Sequence, residues 1–260
     1  MVIIKKESVG SIPLLHICKQ EHQDVKRPLL LFIHGFESTK ERNVQYGYML
    51  AEKGFRVLLP EAIYHGERHE KQNMNLKFWE IVIRTIGELS TIKDSYVGKG
   101  LVDESRIAVG GTSMGGIVTL GAMGKYDWIS IGISMMGTPD YIGFAKYQLR
   151  LLEQAYGQFP MPKDQIETQL EALRQYDVTA NLDSWKPRPL FFWHGKADTT
   201  VPYQASYDFY HRLKPVYEKD GIPLHYSLDE KAGHAVPNHA VIEMVTWLEQ
   251  QLIKPAGQIL

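Results

Sequence analysis

The sequence predicts an α/β fold, a mostly parallel central sheet with helices on both faces. Three observations predict it. Short apolar runs rich in leucine and β-branched residues recur along the chain and alternate with longer segments of helical periodicity. One such run, Arg106–Gly110, passes directly into Gly111-Thr112-Ser113-Met114-Gly115-Gly116 and then into the helix-like Ile117–Met123. Finally, 260 residues, 44% of them apolar and without repeats, suit one large domain with a sizeable core.

Taken in order, residues 2–5 and 12–18 read as an antiparallel opening pair of strands. Leu29–Ile33 is a continuous apolar run, the mark of a strand buried on both faces. A helix near 39–53 separates it from the next strand, Arg56–Pro60. Residues 77–96 form a long amphipathic helix, with Trp79, Val82, Ile86 and Leu89 at helical spacing. After the strand-turn-helix at 106–123 come strands at 128–134, 189–193 and 222–228. A closing helix near 238–253 carries Val241, Val245, Leu248 and Leu252 on one face.

The interval between the strands at 128–134 and 189–193 is unusually long. Residues 140–185 hold two helix-like segments, one marked by Phe144, Tyr147 and Leu151, the other by Ile166, Leu170 and Leu173. Phe159-Pro160-Met161-Pro162-Lys163 separates them. With Tyr156 and Phe159, this is too much large apolar surface for a solvent-facing link. An insertion at the carboxyl ends of strands also sits where such sheets bind ligands. Residues 140–185 are therefore read as a helical cap inserted within a single domain spanning 1–260.

Bulk properties exclude several classes. The net charge is −1 and the basic residues are scattered, which argues against a nucleic-acid footprint or a polybasic membrane patch. The single cysteine, Cys18, forbids an internal disulfide and fits a reducing compartment. Its apolar surroundings make it a buried small hydrophobe. The apolar part of Met1–Glu7 is too short for a signal peptide. The longest uncharged stretch, Ile107 to Gly124, is rich in glycine and suits a strand, turn and helix better than a membrane span. A cytoplasmic protein is expected, with oligomeric state left open.

The turn at 111–116 carries the chemistry. A serine between glycines where a strand meets a helix is a nucleophile elbow. The backbone is strained so that the hydroxyl of Ser113 projects above the sheet, and glycines at 111 and 115 avoid collision with the neighbouring strand or helix. A serine hydroxyl is a weak nucleophile near neutral pH and needs a base to take its proton and a carboxylate to orient that base. Asp198, in His194-Gly195-Lys196-Ala197-Asp198 after the strand at 189–193, is the candidate acid. Asp140 and Asp229, after the preceding and following strands, compete with it. His234, in Lys231-Ala232-Gly233-His234 between the last strand and the closing helix, is the candidate base, with an ordinary pKa near working pH. His211, His225 and His239 fall within a helix or strand and are less well placed.

The oxyanion formed on an attacked carbonyl needs backbone donors. The N–H of Met114 is one candidate. The N–H of Phe36, in the loop His34-Gly35-Phe36 after the strand at 29–33, is the other. His34, Tyr64, His65 and Tyr147 are candidate pocket residues. No metal site is expected: His65 and His69 flank Glu67, but Gly66 and the preceding turn oppose the helix that would align them. The turn that would hold a dinucleotide is occupied by the serine elbow, so no cofactor is expected.

With the elbow at Gly111–Gly116, the His34-Gly35 loop, His194-Gly195-x-x-Asp198 and Gly233-His234 in this order, nearly the whole chain resembles the α/β-hydrolase superfamily. Within it, the chain is similar to bacterial carboxylesterases related to dienelactone hydrolase and to the catalytic domain of the prolyl oligopeptidase group. The resemblance implies a cofactor-free hydrolase with a Ser113–Asp198–His234 triad. Dienelactone hydrolases proper use cysteine where this chain has serine. Prolyl oligopeptidases carry a propeller that 260 residues cannot contain. The expected activity is hydrolysis of small-molecule carboxylic esters with small to medium acyl chains through an acyl-enzyme. The alternatives are a small serine peptidase or amidase and a non-catalytic ligand-binding member of the fold.

Overall fold

The computed structural model describes residues 1–70, 74–157 and 162–253. Eight strands form one sheet: β1 (Val2–Val9), β2 (Ile12–Lys19), β3 (Arg27–Ile33), β4 (Arg56–Pro60), β5 (Val102–Thr112), β6 (Ile131–Met135), β7 (Leu190–Gly195) and β8 (Leu224–Asp229). Their spatial order is β1-β2-β4-β3-β5-β6-β7-β8. The opening pair is antiparallel, β2 meets β4 antiparallel, and every pairing from β4 to β8 is parallel. The α/β class and the mostly parallel sheet agree with the sequence reading.

Helices cover both faces. On one lie α2 (Phe78–Gly98), α3 (Met114–Lys125), α4 (Tyr141–Tyr156) and α6 (Gln204–Asp220). On the other lie α1 (Val44–Glu52) and α7 (Asn238–Leu252). Successive side chains of a strand point to opposite faces. Leu29, Leu31 and Ile33 of β3 accordingly pack with the α2–α3 side, while Leu30 and Phe32 pack under α1 and α7. The apolar run at 29–33 is continuous because both faces are covered.

Strand ends shift by a few residues, β1 and β5 running longer than expected and β6 starting later, and two helices differ in character. The helix expected at 39–53 begins as a 3-10 turn, Lys40–Asn43, before α1. In α6 the sequence pattern marks a helix only around His211. Its buried stripe is narrow, Phe209, Leu213 and Tyr217, and Pro215 interrupts it, which masks the amphipathic signal. Helices α4 and α5 (Lys163–Arg174) lie between β6 and β7. Phe144 and Leu173 are buried, whereas Leu151 is 46% exposed. Phe159, the first residues of the break after α4 and the Tyr156 side chain lie outside what the structure describes. Cys18 is fully buried, and burial pushes its thiol pKa up. Among the described residues, no helix is long and apolar enough to cross a membrane.

Parallel strands all end on one side, so their carboxyl-terminal loops converge. β3, β5, β7 and β8 end at Ile33, Thr112, Gly195 and Asp229. Within five residues beyond those ends stand Phe36, Ser113, Asp198 and His234.

Candidate active site

Ser113 adopts φ 54° and ψ −115°, a left-handed conformation that a residue with a side chain rarely takes. The neighbouring glycines permit it. A Cβ on Gly111 would lie 2.5 Å from the carbonyl oxygen of Ile33, and one on Gly115 would collide with that same carbonyl. β3 and the elbow thus approach at backbone contact. The backbone N–H of Ser113 donates to Met135 O at 2.8 Å, which ties the turn to β6.

Around this turn three side chains form one hydrogen-bonded chain. Ser113 Oγ stands 2.8 Å from His234 Nε2, and His234 Nδ1 stands 2.7 Å from Asp198 Oδ2. The other carboxylate oxygen, Oδ1, accepts from the N–H groups of Thr200 (2.9 Å) and Val201 (3.0 Å). Burial pushes the Asp198 pKa up, but contacts with His194 and His234 and the Val201 N–H more than offset it. The carboxyl is held well below the usual range. An ionised Asp198 can only accept, so His234 donates from Nδ1 and leaves Nε2 free to accept from the serine hydroxyl.

The rival acids are engaged elsewhere. Asp140 caps α4, its Oδ1 accepting from Gly143 N–H at 2.6 Å. Asp229 accepts from the N–H groups of Lys231 and Ala232, which shapes the turn leading to His234, and contacts His239 Nε2 at 3.1 Å. His225 faces Glu243 at 2.8 Å, and His211 lies within α6 against Tyr207 and Tyr210.

The loop after β3 lies against the elbow. A Cβ on Gly35 would stand 3.6 Å from the Ser113 Cβ. Among the described residues, no hydrogen bond occupies the N–H of Phe36 or of Met114. A pocket opens above Ser113, walled by Phe36, Phe78, Phe144, Tyr147, Leu151 and Val201 among others. None of the described residues lining it is charged. Tyr147 reaches across it and donates from its hydroxyl to Thr199 O at 3.0 Å.

The structure does not bring His34, Tyr64 and His65 to the pocket wall. His34 is fully buried; its Nδ1 donates to Gly35 O (2.8 Å) and its Nε2 accepts from Ala62 N–H (3.1 Å). His65 donates from Nδ1 to Ile63 O (2.8 Å) and accepts the N–H of Glu37, next to Phe36, at 3.1 Å. Burial holds the His65 pKa down at about 4, so the ring is neutral at working pH. Tyr64 donates to Glu80 Oε1 at 2.8 Å. These side chains knit the loop after β3 to the loop after β4.

A buried ion pair completes that brace. Glu61 is wholly buried and Lys40 nearly so; Lys40 Nζ lies 2.5 Å from Glu61 Oε2, and the Lys40 N–H donates to Glu61 Oε1 at 3.1 Å. Glu41 and Glu67 also converge on the ammonium, at 3.0 and 2.6 Å. The carboxylates gather around this ammonium, and His65 has both nitrogens engaged. Burial pushes the Glu61 pKa up, while the adjoining His34 ring and Lys40 pull it down, to a net value of about 2. A depressed carboxyl contributes stability above its unfolded pKa and loses it as pH falls through the folded one. Glu61→Gln should therefore destabilise the protein by on the order of 3 kcal/mol at pH 7. The difference should shrink as pH falls from about 4.5 toward 2. Urea melts of both proteins across that range check it; a gap that stays constant would contradict the brace.

The sequence reading missed His194 as anything but part of a motif. It is buried, its Nε2 donates to Val201 O at 2.8 Å and stands 3.4 Å from Asp198 Oδ2, and its Nδ1 meets Ser206 Oγ at 3.1 Å. Its place as the penultimate residue of β7, four residues before Asp198, was the available signal.

Comparison with known proteins bears on this site. The model of the prolyl oligopeptidase family matches residues 84–254. "Putative esterase YitV" of Bacillus subtilis (strain 168) is 40% identical over 97% of this chain and 100% of its own length. "Esterase YjfP" of Escherichia coli (strain K12) is 26% identical, again over 97% and 100%. Among solved structures, TT1662 from Thermus thermophilus superposes with a TM-score of 0.75 at 19% identity, covering 98% of this chain and 99% of that one. An acetyl xylan esterase from Paenibacillus sp. R4 does so with a TM-score of 0.65 at 17% identity, over 96% and 88%. Both share the α/β-hydrolase fold of this sheet. The matched span takes in the elbow, the Asp198 loop and the His234 loop, and the chain belongs to the prolyl oligopeptidase family.

Proposed function

We propose that this chain is a serine hydrolase of small-molecule carboxylic esters, with Ser113 as nucleophile, His234 as base and Asp198 as orienting carboxylate. The observation that carries the reading is the continuous chain from Ser113 Oγ through the His234 ring to Asp198, on a serine with positive φ. The esterase names of two full-length relatives favour ester over amide.

Attack proceeds as Ser113 Oγ bonds to the ester carbonyl carbon and its proton passes to His234 Nε2. Asp198 stabilises the imidazolium through Nδ1–H. The carbonyl oxygen takes up negative charge and is met by the N–H groups of Phe36 and Met114. His234 then returns its proton to the departing alcohol as the C–O bond breaks. Water, deprotonated by the same ring, hydrolyses the acyl-enzyme and restores Ser113. These steps call on no metal or cofactor. The Asp198 carboxyl, held well below the usual carboxylate range, stays ionised at working pH and keeps the ring oriented.

In this reading residues 140–185 are a cap within a single domain, and Tyr147, bonded to the Asp198 loop, is a wall of the acyl site. The uncharged lining among the described residues favours neutral acyl groups of small to medium size. The lone buried cysteine suits a reducing compartment, and the cytoplasm is the proposed site of action.

The test sets p-nitrophenyl esters beside aminoacyl p-nitroanilides. Amide cleavage demands a well-held leaving amine, and peptide termini need a charged anchor, which none of the described lining residues supplies. The expected outcome is clear turnover of short esters with kcat/KM at least about 10²-fold above any anilide. Comparable values on both would favour a peptidase. Tyr147→Ala should shift the preferred acyl length; an unaltered profile would make the insertion purely structural.

A further inference from the structure

The pocket above Ser113 is not the end of the apolar space. A second, narrow cleft lies behind it, where α4 and α5 pack against the start of α2. The two share Asn75, Phe78, Gln148 and Leu152, so one set of side chains is the partition between them. Beyond the partition the cleft is closed by Trp79, Ile166, Leu170 and Leu173. None of the described residues lining either space is a Lys, Arg, Asp or Glu.

We propose that this cleft is an extension of the acyl site and receives the far end of an unbranched, uncharged acyl chain. The proposal rests on the ester-hydrolase reading and names its substrate class: straight-chain aliphatic esters longer than the short acyl groups that the outer pocket accepts. Three features carry it. Continuity comes first, since the two spaces meet along a common wall of Asn75, Phe78, Leu152 and the long, flexible side chain of Gln148. Width comes second. The free space is about 40 Å³, room for roughly three water-sized groups, which admits a few methylenes and excludes a branched or aromatic group. Orientation comes third. The leaving alcohol must stay within reach of His234, which does not line the outer pocket, so the half of the ester left in that pocket is the acyl half.

The experiment measures kcat/KM for p-nitrophenyl acetate, octanoate, decanoate and the branched pivalate. Wild type is compared with Leu170→Trp and Ile166→Trp, two separate positions on α5 where an indole would fill the cleft. Each methylene transferred from water to an apolar site is worth about fourfold. Wild type should favour decanoate over acetate, with no corresponding gain for pivalate. In both variants the decanoate-to-acetate ratio should fall by about tenfold or more, with far-ultraviolet circular dichroism unchanged. Gln148→Ala, which widens the partition, should move the ratio the other way. An unchanged ratio in whichever filled variant folds, with wild type active on acetate, overturns the cleft and leaves the ester-hydrolase reading standing. A wild type inert toward all the esters overturns that reading itself.

Discussion

Ser113→Ala is expected to reduce ester turnover by about 10⁵–10⁶-fold while the protein stays folded. The size of the effect follows from the geometry. With Oγ gone, no acyl-enzyme can form, and the His234 ring loses its 2.8 Å partner. What remains in the proposed mechanism is the oxyanion donors of Phe36 and Met114 and the pocket, and such remnants typically leave about 10³–10⁴-fold over water. Alanine keeps the Cβ and therefore the same backbone strain at φ 54°, so the thermal midpoint should move little. Steady-state kinetics beside a thermal melt checks both halves. Near-wild-type turnover in a clean preparation would remove Ser113 from the mechanism.

The second large effect separates the candidate acids. Asp198→Asn should lower kcat by about 10⁴-fold, because an amide can present an N–H to His234 Nδ1 and hold the ring in the wrong tautomer. Asp140→Asn should do much less to kcat. Its carboxylate caps α4 through Gly143 N–H, and asparagine caps nearly as well, so a stability change under about 1 kcal/mol is expected. The two variants are read on the same ester. If Asp140→Asn proved the more damaging, the orienting carboxylate would belong to the loop after β6.

The sheet was legible because its central strands are buried on both faces, and continuous runs such as Leu29–Ile33 have no other good explanation in an alternating chain. Ser113, Asp198 and His234 were legible for a related reason. Each is a reactive residue type placed just past a strand end, where parallel strands deliver their loops to one edge. Side-chain direction within those loops was not. His34 and His65 stand beside the elbow in sequence logic, yet both turn inward. His34 accepts the Ala62 N–H and His65 accepts the Glu37 N–H, each from 28 residues away across the loops after β3 and β4, and no local pattern encodes those pairings. His194 was hidden differently. It lies near the end of a strand of otherwise apolar residues, and only folding reveals that the Asp198 loop curls back over its ring. The narrow cleft behind Gln148 needs α4, α5 and α2 together, which the helical periodicity of each alone does not predict.

The central claim is that Ser113 is the nucleophile of an ester hydrolase. It is tested most directly by treating the active protein with a fluorophosphonate and mapping the adduct by peptide mass spectrometry. The account predicts one phosphonyl group per chain, on Ser113, formed in step with loss of ester turnover, and no adduct in Ser113→Ala. Full loss of turnover with the label on another residue, or turnover that survives complete labelling of Ser113, would contradict it.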